Sequence, residues 1–317
     1  MRGRKLIDIL SVVALLLCLQ ASFIAHAGAG DRPVAAILLS DSEDAYVQAA
    51  TAFDDTSTFA VRLFDLQGDI EADPGLKGRL FASRPALIFA LGAKAAYAAK
   101  LWTLDRQEIP VIFAMVLNWQ RYNLLEGSAN ITGIGAETAP GTQFVNMTMF
   151  SPRVRRIGVV HGPHSIPLLA QAREAAALLG LELVSESISR SDHFQRAYKK
   201  IAGQVDAFWI LNDPVLYTLE NIDWLEGRCL KDKILCVGQS ANIARLGVTL
   251  SVNTDITQIG AQAAAMAKNI VENGQSPGTL GVMDPLATQI LLNLKTADKI
   301  GLPLSPQTLD LATMVIR

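Results

Sequence analysis

Short apolar runs alternate with amphipathic stretches along the chain, and the alternation occurs in two cycles. In the first cycle, apolar runs predict strands at residues 34–39, 59–64, 86–91 and 110–116. Amphipathic or Ala-rich stretches between these runs predict helices at residues 44–53, 76–82 and 94–104. Continuous apolar strands that alternate with helices are typical of a parallel sheet covered on both faces.

The second cycle follows an irregular segment at residues 117–130 and an extended segment at residues 131–135. Its predicted strands lie at residues 156–160, 181–188, 207–211, 234–237, 248–252 and 290–294. Its amphipathic or helical stretches lie at residues 142–149, 166–179, 194–202, 215–224, 241–246 and 256–273, with further helical segments at 297–300 and 306–314. Two such cycles predict an α/β protein made of two Rossmann-like lobes with parallel sheets.

The break between the two cycles sets the predicted domain boundaries. The first lobe is expected over residues 31–135 plus about 253–284, and the second over residues 136–252 plus about 285–317. A single connection would make a loose hinge. Further crossings between the lobes are therefore expected near residues 251–254 and 283–288, which makes the hinge multi-stranded.

The first 27 residues have the three-part pattern of a secretory signal peptide. Arg2, Arg4 and Lys5 give a positive start, residues 9–25 are almost wholly apolar, and Ala25-His26-Ala27 offers a cleavage site. Residues 1–27 are therefore predicted to be cleaved, so that the folded part works in the periplasm. Two alternatives stay open: a retained membrane anchor, since about 20 apolar residues span a bilayer, and lipid modification at Cys18, which the preceding Leu17 disfavours.

The composition favours a large buried core and disfavours nucleic acid and anionic membrane as partners. Half of the 317 residues are apolar, 18% are charged and the formal net charge is −2. No basic stripe is present, which argues against nucleic acid as a partner. Cys229 and Cys236 lie beyond the signal in a compartment that permits disulfides, but the interpretation favoured from the sequence is two unpaired core thiols. No Cys/His spacing typical of a metal site occurs, and no cofactor is expected.

An enzyme is the least favoured class. The G-x-S-x-G motif is absent, and no Ser/His/Asp or Cys/His arrangement can be recognised. Neighbouring carboxylates such as Glu43-Asp44 and Asp54-Asp55 fall on predicted helix surfaces or turns. An exported two-lobe α/β protein without a catalytic pattern is therefore interpreted as a binder of small molecules.

The predicted ligand-binding residues follow the carboxyl ends of the strands, where open parallel sheets bind ligands. They are Ser40, Asp41, Ser42, Gly92, Ala93, Lys94, Asn118, Trp119, His164, Ser165, Asn212, Asp213 and Gln239. Backbone N–H groups at 40–42 or 92–94 suit a carboxylate, Asp213 suits an ammonium, and Trp119 suits a flat or apolar group.

Each of these assignments has a purely structural alternative. Ser40, Ser42 and Asp213 are also ordinary helix caps. Lys94 and His164 are also ordinary solvated residues, and Trp119 can pack beneath its own loop. The sequence leaves these alternatives open.

Several segments resemble one family of transport proteins. The segments are Ala86-Leu87-Ile88-Phe89-Ala90-Leu91-Gly92-Ala93-Lys94-Ala95-Ala96, Pro110-Val111-Ile112-Phe113-Ala114, Ile131-Thr132-Gly133, Arg155-Arg156-Ile157-Gly158-Val159, residues 247–260, Asn293-Leu294-Lys295-Thr296-Ala297, Gly301-Leu302 and Ser305-Pro306. They resemble the solute-binding components of ABC-type importers, in the type I periplasmic-binding-protein class. The branch they resemble includes binders of aromatic amino acids.

The chain departs from that family at positions that face the predicted cleft. Leu117-Asn118-Trp119 stands where the family usually has Thr-Asp-Pro, His161-Gly162-Pro163 where it has Tyr-Asn-Pro, and Val252 where it has Tyr. The resemblance implies a monomeric periplasmic protein that closes about its hinge on a small, amino-acid-like solute and delivers it to a membrane permease. The alternative is a periplasmic sensory subunit that presents its bound state to a membrane histidine kinase or cyclase.

Overall fold

Two sheets organise the chain in the computed structural model, which describes residues 32–317. The predicted signal peptide at residues 1–27 lies outside the described residues. The strands are β1 (Val34–Leu39), β2 (Ala60–Asp65), β3 (Leu87–Leu91), β4 (Val111–Val116), β5 (Ile131–Gly135), β6 (Arg156–His161), β7 (Glu182–Ser187), β8 (Ala207–Trp209), β9 (Leu235–Gly238), β10 (Leu250–Thr254), β11 (Val282–Met283), β12 (Thr288–Asn293) and β13 (Met314–Ile316).

The helices lie between these strands, mostly one after each strand. They are α1 (Asp44–Thr56), α2 (Leu76–Ala82), α3 (Ala93–Trp102), α4 (Pro140–Phe150), α5 (Ile166–Leu178), α6 (Phe194–Ile201), α7 (Leu219–Asp232), α8 (Ala241–Arg245), α9 (Ile256–Val271), α10 (Pro277–Leu280), α11 (Leu294–Ile300) and α12 (Pro306–Leu309). Within the described residues, no helix is both long and apolar enough to cross a membrane.

The first sheet has the strand order β11-β5-β4-β3-β1-β2, and all of its pairs are parallel. Alternate residues of β1 enter opposite cores. Ile37 packs with the face covered by α1 and α9, whereas Leu38 packs with the face covered by α2 and α3. Both faces are buried, which is why these strands read as unbroken apolar runs.

The second sheet has the order β13-β12-β10-β9-β8-β6-β7, and β12 is antiparallel to β10. Its core contains the fully buried Trp209, whose indole nitrogen donates a hydrogen bond of 2.7 Å to the side-chain oxygen of Gln143. Phe144 packs edge-on against the same ring, with centroids 5.2 Å apart. The α/β fold with two sheets of parallel strands that the sequence predicts is confirmed, with β12 as an antiparallel addition.

In the second half of the chain, two predicted helices have different bounds in the structure, and one strand was not predicted. The helix predicted at 215–224 is α7, which starts later because Thr218 accepts a hydrogen bond from the Asn221 N–H and caps it. Residues 306–314 were predicted to be helical, but α12 ends at Leu309 and the chain then forms β13 on the edge of the second sheet. Strand β11 has two residues, too few to show any period.

A disulfide joins Cys229 of α7 to Cys236 of β9, with 6.2 Å between their Cα atoms. The interpretation of two unpaired thiols is therefore wrong. The physical reason is a turn at Lys233, whose left-handed φ of 56° folds the chain back after α7. The N–H of Ile234 then donates to the carbonyl of Cys229 at 3.0 Å, which brings β9 within reach of the helix end.

The chain passes between the two sheets three times, after β5, after β10 and between β11 and β12. The Thr254 hydroxyl, at the end of β10, donates to the carbonyl of Ala136 after β5 at 3.0 Å. The Gln262 side chain on α9 donates to the Asp284 carbonyl at 3.0 Å and accepts from the Leu286 N–H at 3.1 Å. Hydrogen bonds thus connect the first crossing to the second, and the third crossing to α9.

Candidate functional site

Each sheet has one point where the chain reverses the direction in which strands are added. In the first sheet β1 lies between β2 and β3, and in the second β6 lies between β7 and β8. At such a switch point the loops after the two central strands turn to opposite faces and leave a crevice beyond their carboxyl ends, where ligands bind. Ser40 and Gly92 lie at the first switch point, and Gly162 and Asn212 lie at the second.

The first switch point is built around Ser40, which is 3% exposed. Its hydroxyl oxygen accepts a hydrogen bond of 3.0 Å from the Ala95 N–H at the start of α3. The alternative that Ser40 is a helix cap therefore applies to α3, whereas neither Ser40 nor Ser42 caps α1. The N-cap of α1 is Glu43, without a side-chain cap, because Ser40 is turned towards α3 instead. The first N–H groups of α3, at Ala93 and Lys94, precede any intrahelical acceptor.

The other polar residues around this point form a rim of local hydrogen bonds. Asp41 accepts a bond of 3.0 Å from the Glu43 N–H, and the Ser42 hydroxyl donates to Asp65 at 2.6 Å. The Lys94 ammonium donates to the carbonyl of Gly68. These contacts orient the rim, and they use the charge of Lys94 to hold the loop after β2.

The loop after β4 is irregular at its base. Met115 has a positive φ of 59°, and the pairing of β4 with β5 shifts register between Phe113 and Val116. Asn118, with a φ of 49°, is exposed, and the half-buried Trp119 packs on Phe113 with ring centroids 6.1 Å apart. Residues held in such conformations cluster at ligand-binding loops, although Trp119 is partly engaged by its own lobe.

The second switch point combines buried and exposed polar residues. His161 is 8% exposed, and its Nδ1 lies 3.2 Å from the carbonyl oxygen of Gly162. Ser165 is buried at the start of α5, whereas His164 is exposed on the short 3-10 turn that precedes it. Of these residues, His164 is the one whose side chain is open to solvent.

Asp213 caps the turn after β8. One of its carboxylate oxygens accepts from the N–H groups of Val215 and Leu216 at 3.1 and 3.3 Å. Its other oxygen faces Gly162, where an added β-carbon would lie 3.2 Å away. Gln239, after the neighbouring β9, has a buried side-chain nitrogen for which the described residues supply no acceptor.

Glu137, on the first crossing, was missed by the sequence analysis. Its half-buried carboxylate lies near the side chain of Asn212, which brings the crossing close to the second switch point. Burial raises the pKa of the Glu137 carboxyl above its usual value, and the nearby Asn212 side chain opposes this rise. The sequence feature that could have identified Glu137 is its charge, since its neighbours in this crossing are small or apolar residues. Among the described residues, no group of three or more His, Cys, Asp or Glu is placed to hold a metal ion.

Comparison with known proteins identifies a family for this architecture. The family model described as ABC transporter substrate binding protein matches residues 67–316. A tyrosine-binding protein of Clostridioides difficile (strain R20291) is 20% identical over 251 residues, which cover 77% of this chain and 71% of that protein. The resemblance found in the sequence is therefore confirmed.

Two solved structures share the fold. The ligand-free, open structure of a substrate-binding protein with adhesive properties from Clostridium difficile has a TM-score of 0.71 and 18% identity, covering 90% of this chain and 99% of that one. A protein from Streptococcus pneumonia in complex with L-Trp has a TM-score of 0.56 and 18% identity, covering 89% of this chain and all of that one (100%). At such identities the likeness establishes the fold alone.

Proposed function

Because this chain belongs to the ABC transporter substrate-binding protein family, we propose that it binds an amino-acid-like solute between its two sheets and delivers it to the permease of an importer. The family and the relatives are substrate-binding proteins, not enzymes. The solute is therefore released chemically unchanged.

The observation that carries this proposal is the meeting of the two carboxyl edges at the crossings. The first crossing leaves the carboxyl end of β5 and contacts Thr254 at the carboxyl end of β10. Its Glu137 also reaches Asn212, beyond β8. These contacts support a cleft bordered by loops from both switch points, and we propose Ser40 and Gly92 for one wall and Gly162 and Asn212 for the other.

An α-amino acid suits the chemistry of these walls. The N–H groups of Ala93 and Lys94, at the start of α3, favour a carboxylate. Trp119 offers an aromatic ring beside the cleft. The relative from Clostridioides difficile is named for tyrosine, and the Streptococcus structure holds L-Trp, which supports an aromatic amino acid as the first ligand to test.

Closure about the three crossings is proposed as the binding motion. The crossings are short segments that link two separately packed cores. In such an arrangement, a few backbone torsions in the hinge change while the domains close. The lobes proposed for this motion are residues 31–135 with 253–284, and residues 136–252 with 285–317.

The protein is proposed to act in the periplasm, to which a cleaved signal peptide at residues 1–27 would direct it. It is proposed to be a monomer. The disulfide between Cys229 and Cys236 supports an oxidising compartment, because disulfides persist there and are rare in the cytosol.

The test is a thermal-shift screen of protein expressed from the full 317-residue sequence. The ligands are the twenty L-amino acids, common sugars, purines and small organic acids. A true ligand at about 100 times its dissociation constant adds about 2.7 kcal/mol to the free energy of unfolding. We expect an amino acid to raise the melting temperature. Stabilisation by a sugar or a purine alone would show that the proposed ligand class is wrong, and unchanged uptake of the amino acid in a deletion strain would overturn delivery to an importer.

A further inference from the structure

Glu137 has a position that no other carboxylate of the described chain shares. It follows β5 on the first crossing, and its half-buried side chain lies near that of Asn212 at the second switch point. We infer that the Glu137 carboxylate is the acceptor for the ammonium group of the ligand. This inference rests on the proposed function and deepens it, because it assigns the group that recognises a primary amine.

The charge of Glu137 lacks a cation in the described residues. None of the five ion pairs found there includes Glu137. An ionised carboxylate that is removed from water without a counter-ion is unstable unless it is neutralised or paired. The protonated amine of a ligand would supply the missing positive charge.

Other carboxylates at the cleft edge already have acceptor sites in use for backbone groups. Asp41 accepts from the Glu43 N–H, and Asp65 accepts from the Gln67 N–H and from the Ser42 hydroxyl. Asp213, which the sequence favoured for the ammonium, accepts from two N–H groups of the turn that it caps. Glu137 accepts no hydrogen bond from a backbone N–H of the described residues, so its carboxylate keeps more capacity for a ligand donor than Asp213, whose Oδ1 is already occupied.

The neighbouring strand end supplies an independent sign of a ligand. Gln239 lies after β9, which pairs directly with the β8 that leads to Asn212. Its side-chain nitrogen is buried and has no acceptor among the described residues. A buried donor without a partner costs free energy unless a ligand or water accepts from it. A ligand that carries both an ammonium and an oxygen acceptor would satisfy Glu137 and Gln239 together.

Isothermal titration of the full chain with matched ligands tests this inference. The probes are the amino acids that stabilise the parent protein in the thermal-shift screen, each paired with the carboxylic acid that lacks the amino group. The variants are Glu137→Gln, which keeps the shape and a hydrogen-bonding amide but removes the charge, and Asp213→Asn, which keeps a good cap. Glu174→Gln, on the exposed surface of α5, is the matched control.

We expect Glu137→Gln to weaken binding of the amino acid at least about tenfold, equal to about 1.4 kcal/mol. Binding of the des-amino acid should change less than about threefold, and Glu174→Gln should leave both affinities near the parent values. Asp213→Asn, the rival position for the ammonium, should weaken binding of the amino acid less than Glu137→Gln does. If Glu137→Gln binds the amino acid like the parent, or if the loss falls on Asp213→Asn instead, the inference is wrong while the proposed function stands. If the parent protein binds no amino acid at all, the proposed function fails and this inference fails with it.

Discussion

The phenol oxygen of Tyr46 occupies the space beside Gly92 that a side chain at this position would need. A β-carbon built on Gly92 would lie 2.6 Å from that oxygen and 2.5 Å from the hydroxyl oxygen of Ser40. Gly92 also has a φ of +87°, which glycine adopts without the strain of a side chain. Tyr46, Ser40 and Gly92 therefore form one packed unit that fixes the start of α3.

Gly92→Ala should disrupt this unit. The added methyl group displaces Ser40 from the Ala95 N–H, a cap worth about 1 kcal/mol, and the positive φ adds about 1–3 kcal/mol of strain. We expect the free energy of unfolding to fall by about 2–4 kcal/mol in urea titrations and the amino-acid affinity to be lost. Gly78→Ala is the control, because Gly78 lies inside α2 with open space around it, and it should be neutral or stabilise by about 0.5–1 kcal/mol. Equal urea midpoints for Gly92→Ala and the parent would contradict the packing argument.

The strands were predictable from the sequence, and the helix bounds near the site were not. Apolar runs such as Val34–Leu39 identify buried strands on their own. The start of α7 depends on a choice between two capping residues, Asp213 and Thr218, and both form caps in the structure. The sequence favoured the first, but that cap belongs to a turn before the helix.

The candidate site could be predicted only where the order of strands and loops along the chain determines which residues meet. Residues after parallel strands could be placed at one sheet edge, because that edge is fixed by the βα connections. The contact of Glu137 with Asn212 and that of Tyr46 with Gly92 join segments that are distant in the chain. Such contacts depend on how the crossings and helices pack, and this packing cannot be predicted from a local sequence pattern.

The disulfide between Cys229 and Cys236 should stabilise the second lobe. It closes a loop with a sequence separation of 7, for which chain-entropy arguments give roughly 2–3 kcal/mol. We expect the double substitution of both cysteines by alanine to lower the free energy of unfolding by about that amount. Mass spectrometry of the unreduced protein should show the mass about 2 Da below that of the dithiol form. A parent protein whose two thiols react freely with alkylating reagents under non-reducing conditions would contradict the bond.

Gln262 should control the stiffness of the third crossing. Its side chain bonds to the Asp284 carbonyl and to the Leu286 N–H, and it is 6% exposed. Gln262→Ala leaves both backbone groups without a partner, at a cost of about 1–3 kcal/mol for each group that stays buried. We expect faster amide hydrogen exchange at residue 286 and a lower melting temperature. Gln258→Ala, on the exposed side of α9, should change neither, and unchanged exchange in Gln262→Ala would show that the crossing is held by other contacts.

Glu137 should make the ligand-free protein more stable at mildly acidic pH. Burial raises the pKa of its carboxyl in the folded state. As pH rises, the unfolded chain therefore loses this proton first, and the folded protein keeps it to a higher pH. Between the unfolded pKa, about 4.3, and the raised folded value, stability therefore falls as pH rises and is regained as pH falls. Glu137→Gln mimics the protonated form, and we expect it to melt at a higher temperature than the parent at neutral pH.

Urea titrations of the parent protein and of Glu137→Gln from about pH 8 to about pH 4 measure this difference. The two free energies of unfolding should converge as the parent protein takes up its proton, whereas Glu174→Gln should follow the parent at every pH. Adding the amino-acid ligand should reverse the order, because the ammonium stabilises the ionised carboxylate and has no charge to pair with in the variant. A purely structural Glu137 would give the opposite result without ligand: its replacement would lower stability at neutral pH. In the expected result, by contrast, stability favours Gln and binding favours Glu at position 137, as is typical of a buried charge kept for a ligand.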